Sequence, residues 1–562
     1  MTAEEFEPKI VAFTCTWCGY PSANLAGVNK IQYPPNVRIV RVMCSGSVEP
    51  SIIMDAFENG ADGVIIIGCL IDNCHYVSGN KSAQERVDAL KELFDIMGLD
   101  SRRLRTEWIN ASERTRFAKS VTDFVAEVRA LGPLPLKKDR KEKKEKTKEQ
   151  TAAAVKGIIE DTGAFDCVEC GKCTTVCPIA KFDQEFAPRA IVLRAMEGIV
   201  ENIATDRDIW TCTTCEQCNA MCPYKVDYSG FIRSMREEAT EAGAGPQCSK
   251  GGIIHATQRI MANSDLKQAR LRWVKEDMKV AEKGDVFYFV GCLPHYDAIF
   301  RDRKDLSMTS ICESAVRLMN KAGVVPVVSN DEKCCGHDLN WTGNGKDFEK
   351  LMEHNVALIK ASGAKKVVYT CPECFRTMNM DYADLMGDLG FEMQHISDYL
   401  KELMDSGQLK TDVQVGEPFK FTYHDSCRLG RHSGVYDSPR TLAASLKGCE
   451  FAEMVNIRDK ALCCGVAGWA NCNTNVKRMQ VDRVMEAKKT GASRMLLFCP
   501  KCQIHFKCAV QDKVHVDKAL VDVVIEDFTV AMARMMGLMP AETKAVPEKD
   551  RGMKQKEGVS KS

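Results

Sequence analysis

At 562 residues the chain is long enough for about three or four domains, each with its own core. Its 77 basic and 77 acidic side chains cancel, which argues against a nucleic-acid partner or an anionic membrane surface. No apolar run approaches the length of a transmembrane helix, and the opening residues are acidic rather than signal-like, so a soluble, cytoplasmic protein is expected.

The 28 cysteines set the theme. In a large chain without an export signal, thiols grouped at short ligand spacings point to metal rather than disulfides, and their number favours iron–sulfur clusters over zinc. Such a load of clusters suits an anaerobic cell.

In chain order, β-rich runs at Ile10 to Thr14, Val37 to Met43, Val64 to Ile67 and Leu104 to Ile109 alternate with helical patterns near 50–59, 81–97 and 112–130. This predicts a small parallel α/β domain. Cys15 and Cys18 follow the first strand, Cys44 the second, and Cys69 and Cys74 the third. The carboxyl ends of parallel strands share one edge, so these five thiols are expected to meet there as a metal site, with Gly19, Gly46, Gly68 and Gly79 marking tight turns beside it. The segments Phe13 to Cys18, Met43 to Gly46 and Gly68 to Tyr76, followed by Gly79 and Asn80, resemble the delta subunit of the methyl-viologen-reducing hydrogenase. That resemblance implies one [2Fe-2S] cluster and electron transfer between a dehydrogenase partner and a flavin subunit. Four ligands are needed, so one of the five cysteines is spare.

Residues 134–150 are almost wholly charged and read as a solvated tether or exposed helix. Beyond them the run Cys167, Cys170, Cys173, Cys177-Pro178 recurs as Cys212, Cys215, Cys218, Cys222-Pro223. This is the bacterial ferredoxin spacing, in which the fourth cysteine serves the other cluster. One [4Fe-4S] cluster is thus expected on Cys167, Cys170, Cys173 and Cys222, and the other on Cys212, Cys215, Cys218 and Cys177. A helix expected over 188–200 between the runs makes the domain a helical two-cluster ferredoxin.

The α/β pattern then returns twice. Strands are expected at Val286 to Val290, Val324 to Val328 and Lys366 to Tyr369 in one half, and at Phe419 to Tyr423 and Met495 to Phe498 in the other. Near their ends stand Cys292, Cys334-Cys335-Gly336 and Cys371-Pro372-Glu373-Cys374, and again Cys427, Cys463-Cys464-Gly465 and Cys499-Pro500-Lys501-Cys502. Five thiols per copy exceed a tetrahedral site, and vicinal cysteines strain to face one small metal, so a core of several irons is favoured. The glycine after each pair is expected to let the backbone approach the bound group. The stretch from Cys292 to Cys334 is longer than its counterpart, which predicts an added loop over the first site.

This repeat resembles the catalytic subunit of heterodisulfide reductase, and with the ferredoxin it resembles that enzyme's two soluble iron–sulfur subunits joined in one chain. The resemblance implies two noncubane [4Fe-4S] clusters, on Cys292, Cys334, Cys335, Cys371 and Cys374 and on Cys427, Cys463, Cys464, Cys499 and Cys502. Between them the disulfide of coenzymes M and B, a methanogenesis substrate, would be reduced. A disulfide takes two electrons and protons must follow; His424, His295 and His337 are candidates to supply them, His75 and His505 less so. Cys248, Cys312, Cys449, Cys472 and Cys508 fall outside every set and read as structural thiols.

The expected divisions are 1–132, a linker at 133–155, the ferredoxin at 156–283, the copies at 284–415 and 416–538, and a disordered tail at 539–562. No dinucleotide fingerprint is present, so FAD is expected on a partner subunit, in a hetero-oligomer that also includes a hydrogenase, formate dehydrogenase or other donor and that bifurcates electrons. The competing expectation is a pure relay subunit for another oxidoreductase, such as an acyl-CoA reductase.

Overall fold

The computed structural model describes residues 6–136, 146–198, 206–246, 249–301, 303, 305–411, 416–465, 468–470, 472–512 and 522–540. The expected tail and Cys248 therefore lie largely or wholly outside the described residues, as does the middle of the charged stretch.

The amino-terminal unit is a four-stranded parallel sheet in the order β2-β1-β3-β4, formed by β1 (Ile10–Cys15), β2 (Val37–Val42), β3 (Gly63–Cys69) and β4 (Leu104–Ile109). Strand β3 is buried along its whole length, as its run of isoleucines between helix-covered faces requires. The crossovers are α1 (Gly19–Val28), α2 (Pro50–Glu58) and α3 (Gly79–Met97), and α4 (Arg114–Leu131) follows β4. Helix α1 was not among the expected helices; Gly19, expected to mark a tight turn, opens it, and Pro21 sits in its first turn, where proline is at home.

The next helix, α5 (Lys148–Asp161), starts inside the charged stretch, where Thr147 and Gln150 form a reciprocal capping box. The ferredoxin region is helical as expected, with α6 (Pro188–Met196) between the two cysteine runs and α7 (Tyr228–Glu241) after them; positions 199 and 200 lie outside the described residues. Helix α8 (Ile253–Ala262) leads into the paired domains.

Each copy is built on a short parallel sheet. The first has β5 (Val286–Phe289), β6 (Lys366–Tyr369) and β7 (Glu392–His395) in that order. The second has β8 (Lys420–His424), β9 (Glu450–Phe451), β10 (Arg494–Leu497) and β11 (Val524–Asp527) in the order β9-β8-β10-β11. The strand expected over 324–328 is reduced to bridges from Val327 to Ala281 and Phe287. Pro326 has no amide hydrogen to continue a ladder, and only its carbonyl is used, by Ala281 at 3.0 Å.

Four helices of the first copy matter below: α9 (Leu293–Ile299), α10 (Thr309–Lys321), α11 (Gly345–Ser362) and α12 (Ile396–Asp405). Those of the second are α13 (Asp437–Ser445), α14 (Thr474–Lys489), α15 (Pro500–Val510) and α16 (Phe528–Met535). The copies join through α10 and α16, where Ser314 and Thr529 share a buried hydrogen bond of 2.8 Å. The amino-terminal unit packs on α8 and α9. Arg259 reaches Glu58 at 3.0 Å and Asp55 at 3.2 Å, Arg301 reaches Glu92 at 3.1 Å, and the Ala269 amide donates to the Ile96 carbonyl at 2.8 Å.

Candidate metal centres

At the amino-terminal sheet edge the five thiols gather as three and two. Cys15 and Cys69, at the ends of adjacent strands, have sulfurs 3.7 Å apart, and Cys18 touches Cys69. The amides of Cys18 and Gly19 both donate to the Cys15 sulfur at 3.3 Å. Cys44 and Cys74 form the pair, at 4.0 Å. A Cβ at Gly79 would stand 2.3 Å from the Cys44 sulfur, so glycine is required there by the approach of that thiol. Burial pushes Cys74 up, but the amides of Tyr76, Asn80 and Gly79 bring it below its ordinary value, as suits a thiolate ligand. His75 stacks on Trp17 with centroids 3.6 Å apart, away from any proton-donating role within the paired domains.

In the ferredoxin region the two runs interlock across two cavities. One, of about 500 Å³, is lined by Cys167, Cys170, Cys173 and Cys222 and bounded by Cys218; the other, of about 350 Å³, is lined by Cys177, Cys212, Cys215 and Cys218. The fourth cysteine of each run thus stands with the first three of the other. Tyr228 backs both cavities.

The paired domains place their ten thiols in two further cavities. Cys292, Cys334, Cys335, Cys371 and Cys374 line one of about 310 Å³, and Cys427, Cys463, Cys464, Cys499 and Cys502 line one of about 270 Å³. All these cysteines are free of disulfides. The spacing after Cys292 begins with helix α9, whose Leu293 and Tyr296 line the first cavity while the helix also packs on α3, and the described residues after it up to α10 form no helix or strand. The glycine after each vicinal pair is also required by the local backbone and packing. Gly336 and Gly465 have φ of +78° and +89°, and an added Cβ would meet Phe348 at 2.7 Å and Val476 at 2.9 Å. The left-handed turn and the packing of the following helix demand glycine, and each glycine amide donates to the first sulfur of its vicinal pair at 3.4 Å.

The two cavities share a wall that the sequence did not announce. Glu373 and Lys501, the variable residues of the two Cys-Pro-x-Cys motifs, line both cavities and form an ion pair across the junction of the copies. Lys501 also binds Asp338 at 2.5 Å, and Gln258 donates to Asp338 at 2.7 Å. Burial pushes Glu373 up to about 7 against the pull of Lys501. Burial acts to neutralise Lys501, yet Asp338 and Glu373 hold it well above its ordinary value. His337, Asp338 and Glu373 could by spacing hold a metal ion, but the Lys501 ammonium already supplies the cation to both carboxylates.

The candidate histidines of the paired domains, His295, His337, His424 and His505, are buried, and burial lowers each of them. His337 is lowered well below its ordinary value by burial, despite Asp338; it contacts Asp338 through Nδ1 at 3.1 Å and accepts from Arg428 through Nε2 at 3.1 Å. His424 is brought down to about 3 by burial and Arg483, accepts from Arg483 through Nδ1 at 3.1 Å, and leaves Nε2 without a partner among the described residues. It does not line the second cavity. His295 is buried with neither ring nitrogen partnered among the described residues, and His505 lies 3.7 Å from the Cys464 sulfur. Cys312, Cys449, Cys472 and Cys508 line none of the four cavities; Cys508 accepts from Lys477 at 3.0 Å.

The donor chemistry fits iron–sulfur clusters: four separate cavities, each presenting four or five unbridged thiols within a few ångströms of space large enough for a multinuclear core. No helix among the described residues is long and apolar enough to cross a membrane.

Comparison with known proteins agrees region by region. The family described as methyl-viologen-reducing hydrogenase, delta subunit, matches residues 10–132. A 4Fe-4S dicluster domain matches 163–226, and a cysteine-rich domain matches 286–379 and again 421–507. One relative, from the dihydromethanophenazine:CoB--CoM heterodisulfide reductase of Methanosarcina acetivorans, is 32% identical over 314 residues, which is 54% of this chain and 72% of that polypeptide. The iron-sulfur component of the F420-non-reducing hydrogenase vhc of Methanococcus voltae is 49% identical over 137 residues, 24% of this chain and 95% of that polypeptide. A third relative, from the ferredoxin:CoB-CoM heterodisulfide reductase of Methanosarcina mazei, is 47% identical over 127 residues, 23% of this chain but only 16% of that polypeptide. With its three matched regions in one polypeptide, the chain belongs to the heterodisulfide reductase family of iron–sulfur oxidoreductase subunits, fused to a domain of the hydrogenase delta type, and its role is iron–sulfur electron transfer with partner subunits.

Proposed function

We propose that this chain carries electrons from a flavin-containing partner to a thiol disulfide such as that of coenzymes M and B, within a cytoplasmic, electron-bifurcating complex supplied by a hydrogenase, formate dehydrogenase or other donor. Four of Cys15, Cys18, Cys44, Cys69 and Cys74 would hold a [2Fe-2S] cluster. Cys167, Cys170, Cys173 and Cys222 would hold one [4Fe-4S] cubane, and Cys177, Cys212, Cys215 and Cys218 the other. Each five-cysteine set would hold a noncubane [4Fe-4S] cluster. Domain limits at 1–132, 156–283, 284–415 and 416–538 go with this division of labour.

One observation carries the reading: two five-thiol cavities adjoin through a single wall of Glu373 and Lys501. When bound there, the clusters supply one electron each, as cleavage of an S–S bond requires. The chain's own residues do the rest. Glu373, Lys501 and Asp338 keep the two sets in register, and Lys501 places a fixed positive charge where two thiolates develop. Among the expected proton donors His337 lines the first cavity and is the residue proposed to handle the protons that follow, with His424 three residues before Cys427 and outside the second cavity.

A relay-only role has one observation in its favour, because the ion pair fills the wall between the cavities and the ten thiols are largely shielded from solvent. EPR of oxidised protein mixed with coenzyme M, coenzyme B or simple thiols separates the two. A new paramagnetic signal dependent on the thiol supports disulfide chemistry; the absence of any such signal, with clusters present by iron content, supports the relay.

A further inference from the structure

The two copies share their thiol pattern but differ in charge at matched positions. The residue after the first cysteine is Leu293 in one copy and Arg428 in the other. The second residue after each Cys-Cys-Gly is Asp338 in the first copy and Ala467 in the second, and the variable residue of Cys-Pro-x-Cys is Glu373 against Lys501. All three differences make the second copy more positive. Arg431, four residues after Cys427, adds a further cation that acts on Cys427 and Cys463.

Both copies bond to the ferredoxin region, the first where Arg236 and Thr240 of α7 donate to the Trp341 and Thr342 carbonyls at 3.0 and 2.9 Å, but it is a thiol of the second that meets a ferredoxin thiol. The thiol of Cys215, in the second ferredoxin cavity, touches that of Cys463. The backbone around Cys215 is clamped from the second copy. Arg428 donates to the Thr214 carbonyl at 2.6 Å and its hydroxyl at 2.8 Å, Arg431 donates to the Cys215 carbonyl at 2.6 Å, and His432 meets Glu216 at 2.9 Å. Arg431 is anchored on its far side by the carbonyls of Ala461 at 2.7 Å and Asp459 at 3.0 Å. Its Nη2 is buried and has no partner among the described residues. In the first copy the equivalent stretch after Cys292 runs into α9, which packs on the amino-terminal unit.

We infer that the second cysteine set receives electrons from the ferredoxin region before the first does, and that Arg431 is the positioning residue that favours this order. The inference rests on the cluster reading proposed above. The step is a one-electron transfer: the group held by Cys177, Cys212, Cys215 and Cys218 is oxidised by one electron, the group held by Cys427, Cys463, Cys464, Cys499 and Cys502 is reduced by one, and no bond is made or broken. A fixed positive charge beside the acceptor favours its reduced form, and the Cys215–Cys463 contact gives a direct ligand-to-ligand route. The first set, bordered by Asp338 as well as by the shared Glu373 and Lys501, is reached afterwards across the Glu373–Lys501 wall.

The test uses anaerobically prepared full-length protein with its clusters, reduced methyl viologen as the one-electron donor, and freeze-quench EPR together with an EPR-monitored redox titration. Cys427→Ser and Cys292→Ser assign the two paired-domain signals by their loss. The signal lost in Cys427→Ser is expected to develop first and at the higher midpoint. Arg431→Gln is expected to lower that midpoint alone and slow that signal by about tenfold, while Arg431→Lys restores both. The inference is overturned if the signal lost in Cys292→Ser develops first, or if Arg431→Gln moves neither midpoint. Should Arg431→Gln fail to take up clusters, the order of the two signals in the unaltered chain still decides. Iron content too low for the paired domains, with neither signal present, would instead overturn the cluster reading itself.

Discussion

The two Cys-Cys-Gly copies repeat one thiol scaffold inside two different electrostatic shells. The left-handed glycine, the proline that opens the helix after the last cysteine motif, and the position of each thiol near a strand end are shared. What surrounds them is not. Behind the first set a buried Arg270–Glu332 pair at 2.8 Å braces the loop before Cys292, with Glu332 accepting from the amides of Val290 and Gly291. Behind the second, Arg440 grips Asp425 with two hydrogen bonds of 2.9 Å. Metal ligation constrains sulfur positions closely, whereas the charges around them can diverge while the fold holds. The copies are thus not interchangeable, and the difference lies in the environment rather than in the ligands.

The sharpest way to break the comparison is to remove the ion pair that spans it. Lys501→Met leaves Asp338 and Glu373 as buried, unneutralised carboxylates, and chemical denaturation should show a loss of about 3–5 kcal/mol. Adding Glu373→Gln should recover part of it. If the single substitution proved neutral, the shared wall would not be an electrostatic keystone between the copies.

The cap position after the last strand gives a pH test. His395 caps α12 in the first copy, accepting from the Ser397 amide at 3.2 Å, and Asp527 caps α16 in the second, accepting from Thr529 at 2.8 Å. Burial lowers His395 to about 3 and raises Asp527 to about 7. A depressed histidine contributes stability that is present above its unfolded value and lost as pH falls towards 3. A raised carboxyl contributes stability that is present below its unfolded value and lost as pH climbs through 7. Asp527→Asn should therefore remove a decline in stability between about pH 4 and 7. His395→Gln should remove a decline on the acid side. A pH–stability profile identical in all three proteins would show that these caps do not titrate as their burial implies.

Much of this was legible from spacing alone. Cysteines at strand ends, the doubled ferredoxin run and the duplicated vicinal pair are local patterns, and the cavities collect the expected thiols. The short strands Glu392–His395 and Val524–Asp527 escaped notice because their polar residues break β-patterning; they are strands through parallel pairing with a neighbour. The expected strand at 324–328 was overread because four valines outvoted one proline. Glu373, Lys501, Asp338 and Arg428 were missed for another reason. Their importance lies in contacts between segments far apart in sequence, and only the opposite charges within two otherwise equal motifs hinted at it.

What the copies share should fail equally. Gly336→Ala and Gly465→Ala each force a side chain into a left-handed turn already filled by Phe348 or Val476, and each should cost about 1–3 kcal/mol. A large difference between them would mean that the repeat is less symmetrical at its thiols than the matched φ values suggest. What the copies do not share at their surfaces should matter least. Arg301→Ala cuts the half-exposed pair to Glu92 by which the first copy holds the amino-terminal unit. The loss should be about 1 kcal/mol or less, shrinking with added salt. Hydrogen exchange should show it as faster opening of α3 and α9, with the second copy and its clamp on the ferredoxin region unchanged. Faster exchange around Cys215 as well would mean that the first copy passes the strain to the ferredoxin region through its own bonds to α7, where Arg236 and Thr240 hold the Trp341 and Thr342 carbonyls.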